Sequence, residues 1–173
     1  MNVKRRITLV AAALLLSACG STPEQATAPA KPARADTDAL VAQVRAAGEA
    51  GTELVIQPLR DPQVEDLRHE AAALEARRKF KAAADVLEKA LAITPGDPDL
   101  LQWKAELALH RRAWEHAESL AIESFERGPK VGALCRRNWA TIGLARAQRG
   151  IGESLAVAMR QGESCTVAPP VRM

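Results

Sequence analysis

The chain has 173 residues and a formal net charge of +3; hydrophobic residues make up 47% of it, aromatic residues 3%, and tyrosine is absent. That length accommodates one modest domain and a tether. Abundant alanine with so few aromatic side chains suits close-packed helices and argues against a β-sandwich.

The N-terminus has the three parts of an export signal. Lys4, Arg5 and Arg6 give a positive start, Ile7 to Leu16 form an apolar run, and small residues follow. The run is too short to span a bilayer as a helix, so a cleaved signal is the better reading. Leu16-Ser17-Ala18-Cys19-Gly20 resembles the lipobox of bacterial lipoproteins; the other reading is an ordinary secretory signal that contains Cys19. The lipobox resemblance implies a signal peptide over 1–18 and acylation of Cys19 as the first mature residue. Each buried methylene adds about 0.8 kcal/mol, so several acyl chains make a durable anchor. Lipoproteins of this type are retained in the inner membrane by aspartate after the cysteine. Gly20 therefore implies the outer membrane of a Gram-negative bacterium, with the domain facing the periplasm.

Residues 19–37 are rich in Ala, Pro, Ser and Thr and read as a disordered tether reaching at most ~55 Å. Residues 38–61 read as a short helix and an extended linker. Leu40, Val41 and Val44 share a face of the helix, Gly48 is its stop, and Leu54 to Leu59 form a segment that packs on the main domain. Residues 62–166 read as the helical domain and 167–173 as a flexible tail. Asp61-Pro62 and Asp97-Pro98 are both a capping residue followed by proline at the first helical position.

Pro95 and Pro129 stand 34 positions apart, and the same frame lays Leu67 on Leu101, Ala71 on Ala105, Phe80 on Trp114 and Ala83 on Ala117. With Leu74, Leu87 and Ala90, these positions resemble the tetratricopeptide repeat, a helix-turn-helix unit with small residues at its helix crossing. Trp139-Ala140-Thr141-Ile142-Gly143 resembles the opening of a third unit, four residues late, with a long helix over about 130–148. Gly150 and Gly152 bracket its turn, and a return helix spans 153–161. The expectation is an all-α, tetratricopeptide-like stack of about three helical hairpins.

Besides Cys19 there are only Cys135 and Cys165, and two cysteines in an exported domain suggest one disulfide. They flank the turn at Gly150 by fifteen residues each, which brings them to the same end of an antiparallel hairpin.

No nucleophile elbow or phosphate loop is present, and His110 and His116 are spaced across a turn rather than as metal ligands. The reading is a binding module, not an enzyme, with no cofactor, no metal and no small-molecule substrate. Export and the lack of interleaved aromatics exclude nucleic acid. The resemblance implies a groove lined by the first helix of each unit: Arg68 and His69, then Gln102, Trp103, Glu106 and His110, then Arg136, Arg137 and Ala140. Trp103 is either a partner anchor there or the seat of the 54–59 segment. Beyond Lys130 basic residues exceed acidic ones, and Arg136, Arg137, Arg146 and Arg149 suggest either docking to an acidic surface or a solvated face. Lipobox, tether and compact repeat domain together resemble the lipoprotein activators of bifunctional class A penicillin-binding proteins. The partner implied is then a peptidoglycan synthase. The alternative is a scaffold or assembly factor for an outer-membrane machine, such as a secretin pilotin or a barrel-assembly lipoprotein.

Overall fold

The computed structural model describes residues 35–51, 59–151 and 154–167. The signal peptide, Cys19, the tether to residue 34, the 52–58 part of the linker, Gly152 with Glu153, and the tail from 168 lie outside the described residues. Seven helices are described: α1 (Thr37–Glu49), α2 (Pro62–Ala76), α3 (Phe80–Ile93), α4 (Pro98–His110), α5 (Trp114–Arg127), α6 (Gly132–Gln148) and α7 (Ser154–Glu163). They pair as the hairpins α2–α3, α4–α5 and α6–α7, and successive hairpins stack through α3–α4 and α5–α6.

The starts of α2 and α4 follow from their caps. Asp61 accepts from the Gln63 amide at 2.8 Å, and Asp97 accepts from the Leu100 amide at 3.1 Å. Each carboxylate satisfies an amide that the helix cannot. The three turns inside the hairpins repeat one hydrogen-bond pattern. The amides of Lys79, Ala113 and Ile151 donate to the carbonyls of Leu74, Ala108 and Arg146. The residue before each donor is left-handed, with φ of 58° at Arg78, 60° at Arg112 and 78° at Gly150. The first two turns are 34 residues apart and the third follows after 38, which is the four-residue delay of the third unit.

Alanine at the crossings explains the close stack. Ala71, Ala83, Ala90, Ala105, Ala117 and Ala121 are all fully buried, and Leu87, Leu100 and Leu107 fill the space beside them. In the third hairpin Gly143 takes that role, because a Cβ there would lie 2.7 Å from the Ala158 Cβ. Ser124 is buried and its hydroxyl donates to the Pro98 carbonyl at 2.7 Å, tying α5 to the start of α4. The Cys135 and Cys165 sulfurs are placed as a disulfide at one end of α6–α7.

Several boundaries differ from the expectation. The tether does not reach residue 37: Asp36 caps α1, accepting from the amides of Asp38 and Ala39 at 3.0 and 3.2 Å, and Thr37 is buried. Gly48 is not a stop. It lies inside α1 and is buried, since a Cβ there would meet the Arg137 side chain at 2.9 Å. The third unit's first helix starts at Gly132, after an extended Val131, and its return helix ends at Glu163. The largest difference concerns α1 itself. It belongs to the repeat domain, lying against α4 and α6, and the described residues form one compact unit.

Candidate functional site

The first helices of the hairpins, α2, α4 and α6, line one face of the stack, and α1 occupies the part formed by α4 and α6. Val41 and Val44 are buried there in a cluster with Ala108, Leu109, Ala117, Leu144 and Ala145. Ala140 is packed against the same cluster.

A polar network locks α1 in place. Glu106 on α4 is fully buried. Its Oε2 accepts from Arg45 Nε of α1 at 2.9 Å, and its Oε1 accepts from Arg137 Nε of α6 at 2.9 Å and from Gln102 Nε2 at 3.1 Å. Gln102, also fully buried, donates to Thr141 Oγ1 at 2.8 Å. Arg136 donates to the carbonyls of Ala47 and Gly48 at 3.0 and 2.9 Å. It supplies the cation and the donors that the C-terminus of α1 lacks in its own last turn. Gln102, Glu106, Arg136, Arg137 and Ala140, expected to face a partner, thus hold the chain's own helix, and Arg137 also lines the groove that α1 leaves open. The side chains suited to gripping a partner helix are the same ones that grip an internal one.

The part of the face between α2 and α4 remains open, as a groove of ≈ 580 Å³. Arg68, Ala72 and Glu75 line it from α2, Trp103 and His110 from α4, and Arg45 from α1. The Trp103 indole donates to Glu75 Oε2 at 2.6 Å, and the Arg68 guanidinium stands 5.3 Å above its ring. His110 stacks on Phe80 with ring centroids 4.1 Å apart, and its Nδ1 lies 3.2 Å from Asp38 Oδ1. Burial pushes the His110 pKa down, against the pull of Asp38 and Glu75. His69 is exposed and is not among the groove residues, because the groove side of α2 runs through Arg68, Ala72, Glu75 and Ala76. Leu59 is fully exposed, so it does not seat on Trp103. Arg45 and Glu75 were not singled out from the sequence, and Phe80 was read there only as a repeat position. Only Glu75 carried a signal, as the residue seven positions along the helix from Arg68.

Two arginines of the basic C-terminal segment, Arg146 and Arg149, are paired with carboxylates of α5. Arg146 Nε donates to Glu118 Oε1 at 2.6 Å, and Arg149 meets Glu118 Oε2 at 2.5 Å and Glu115 Oε1 at 3.2 Å. Among the described residues no cluster is arranged to hold a metal ion, and no helix is long and apolar enough to cross a membrane.

The tetratricopeptide-repeat family matches residues 64–107, which span α2, α3 and most of α4. Tetratricopeptide repeat protein 33 of Mus musculus is 32% identical over 89 residues, 51% of this chain and 32% of that protein. The match therefore spans about a third of that relative's length. Among solved structures, the globular C-terminal domain of P. aeruginosa LpoP is similar with a TM-score of 0.58 and 25% identity, over 61% of this chain and 99% of that one. The described residues form an all-helical stack of tetratricopeptide-like repeats similar to the LpoP domain, a fold that supports protein binding.

Proposed function

We propose that the protein is an outer-membrane lipoprotein whose periplasm-facing repeat domain binds and activates a bifunctional peptidoglycan synthase of the class A penicillin-binding protein type. The observation that carries this reading is the similarity to the LpoP globular domain over nearly all of that domain's length. It supports the activator type that the lipobox, tether and repeats resemble, with Cys19 as the lipidated residue. The open groove beside Trp103 and Arg68 offers the synthase a docking place that α1 leaves free.

Activation on this reading requires no chemistry from the domain itself. The domain binds the synthase's active conformation more tightly than its resting one, and the equilibrium follows. A tenfold shift takes about 1.4 kcal/mol of differential binding, which a few groove contacts supply. The test is polymerisation of lipid II by the synthase of the same organism, with and without the protein. Faster glycan polymerisation or cross-linking is expected. No change at concentrations that saturate binding rejects the activator role and leaves the scaffold role.

A further inference from the structure

The occupied and the open halves of the groove are related by the repeat itself. In the half formed by α4 and α6, Gln102, Glu106, Arg137 and Thr141 are joined by hydrogen bonds into the network that holds α1. One repeat earlier in the chain, Gln102 and Glu106 fall on Arg68 and Ala72, 34 residues back, and Arg137 and Thr141 fall on Asp99 and Trp103, 38 residues back. These offsets are those of the turns at Arg78, Arg112 and Gly150. All four of the earlier residues line the open half between α2 and α4. The open half is therefore a second copy of the site that holds α1, furnished with different side chains.

The differences define what the copy can take. In the occupied half Glu106 is fully buried and accepts from Arg45 of α1. In the open half that position is Ala72, which is exposed, as is Ala76 one turn along. Small side chains there let another helix approach α2 closely. The charge has also changed sign. Arg68 stands where Gln102 does. It pairs with Glu65 only at 3.6 Å, and its Nη1 is buried without a hydrogen-bond partner among the described residues. A buried donor left unmet is costly, so an acceptor brought to it by a ligand is favoured. The other charges of the lining are engaged within the domain. Glu75 is held by Arg45 and the Trp103 indole, Asp99 by Arg60, Arg78 by Asp38 and Arg137 by Glu106.

We propose that the open half is a second helix seat, which takes an amphipathic helix of the protein partner carrying aspartate or glutamate where α1 carries Arg45. The carboxylate meets Arg68, and the apolar face lies on Ala72, Ala76 and the Trp103 ring, as Val41 and Val44 of α1 lie in the cluster with Ala108 and Leu144. A helix is selected over an extended peptide because the repeat-equivalent half holds a helix. The inference rests on this groove being the docking place proposed above, and it adds the shape and charge of what docks there.

Two labelled peptides of residues 36–50, one with the parent sequence and one with Arg45→Glu, test it on the chain from residue 20, which retains every described residue. By fluorescence anisotropy the Arg45→Glu peptide should bind about tenfold or more tighter than the parent peptide. Circular dichroism should show that it gains helix on binding. Arg68→Glu in the protein should reverse the preference. Ala72→Glu, which returns the carboxylate of Glu106 to an exposed position, should abolish it, and circular dichroism of the free variants checks that both fold. Equal binding of the two peptides, binding of neither up to millimolar concentration, a preference that survives both variants, or a bound peptide without helix overturns the proposal. Activation of the synthase alongside any of these results leaves the activator reading standing without this seat. The expected peptide results without activation leave the seat standing and reject the synthase as its partner.

Discussion

Arg45 of α1 and Glu106 of α4, 61 residues apart, form an ion pair whose carboxylate is fully buried while the guanidinium keeps access to water. The same carboxylate takes a second guanidinium from Arg137. One side chain therefore joins three helices, and its removal leaves two arginines facing each other. Breaking a buried pair from one side costs about 3–5 kcal/mol, and the partial exposure of both arginines places this case near or below the lower bound. Glu106→Gln should lower stability by about 2–3 kcal/mol in urea unfolding. A loss under about 1 kcal/mol would mean that α1 is held by Val41, Val44 and the Arg136 bonds to its C-terminus without help from Glu106.

Gly48→Ala sets two effects against each other. Alanine is worth up to about 1 kcal/mol over glycine in a helix interior, and less at Gly48, the residue before the last of α1. The new Cβ, however, would lie 2.9 Å from the Cγ and Cδ of Arg137, closer than such atoms come. Arg137 has to move, and its bonds to Glu106 move with it. Overpacking of this kind costs about 1–3 kcal/mol, so the net change should be destabilising. A thermal midpoint that rises on substitution would show that Arg137 swings aside freely.

The pairing of Cys135 with Cys165 predicts a covalent staple in exported protein. The two cysteines are 30 residues apart, and closing a loop of that length adds about 3–4 kcal/mol by the chain-entropy estimate. Among the described residues no further hairpin packs on the repeat it joins. Non-reducing mass mapping should find the pair oxidised, and reduction should lower the unfolding midpoint without changing native helix content. Two free thiols in periplasm-derived protein would remove the staple from the account.

Acid should weaken the domain at mild pH. Burial against Phe80 holds His110 below the ordinary histidine value of 6.5, with Arg45 and Arg78 adding to the shift and Asp38 and Glu75 opposing it. Burial shifts His116 the same way, helped by Lys104 and Arg111 and opposed by Glu88. The unfolded chain binds these protons at about pH 6.5, whereas the folded chain binds them only lower. Stability is then full above about 6.5 and falls as the pH drops through that value, until the folded histidines also protonate. His110→Gln should flatten this slope. Urea midpoints measured from pH 7.5 to 5.0 decide it, and an unchanged slope assigns the effect elsewhere.

The repeat was legible because its information is local and periodic. Alanines at 34-residue spacing mark crossings wherever the helices lie, and the delayed third unit shows in Gly150, which takes the turn position held by Arg78 and Arg112. The position of α1 was not legible. Gly48 reads as a helix stop in one dimension and becomes a close contact with Arg137 only when α6 arrives beside it. Glu106 and Arg136 look like groove residues whether the helix they grip is foreign or their own. Arg146 looked unpaired because Glu118 precedes it by 28 residues, a pairing that only the α5–α6 contact creates. Charge counted along a chain misses charge cancelled across it.

The open half of the groove separates recognition from structure. Trp103 is only partly buried, yet its indole is bonded to Glu75 and covered by Arg68, so its truncation removes packing as well as any anchor. Trp103→Ala should cost about 1–3 kcal/mol of stability, less than the 3–5 of a fully buried tryptophan. Ala117→Leu, at a crossing with no room, should cost at least as much while leaving the groove side chains unchanged. Arg68→Glu is the discriminating substitution. Arg68 pairs with Glu65 only at 3.6 Å but also covers the Trp103 ring, so reversing its charge should cost about 1–2 kcal/mol of stability. If the synthase docks in this groove, its affinity should nevertheless fall by tenfold or more, about 1.4 kcal/mol. Affinities measured by calorimetry on variants of known stability test this. A synthase that binds Arg68→Glu and Trp103→Ala as tightly as the parent protein docks outside the open groove.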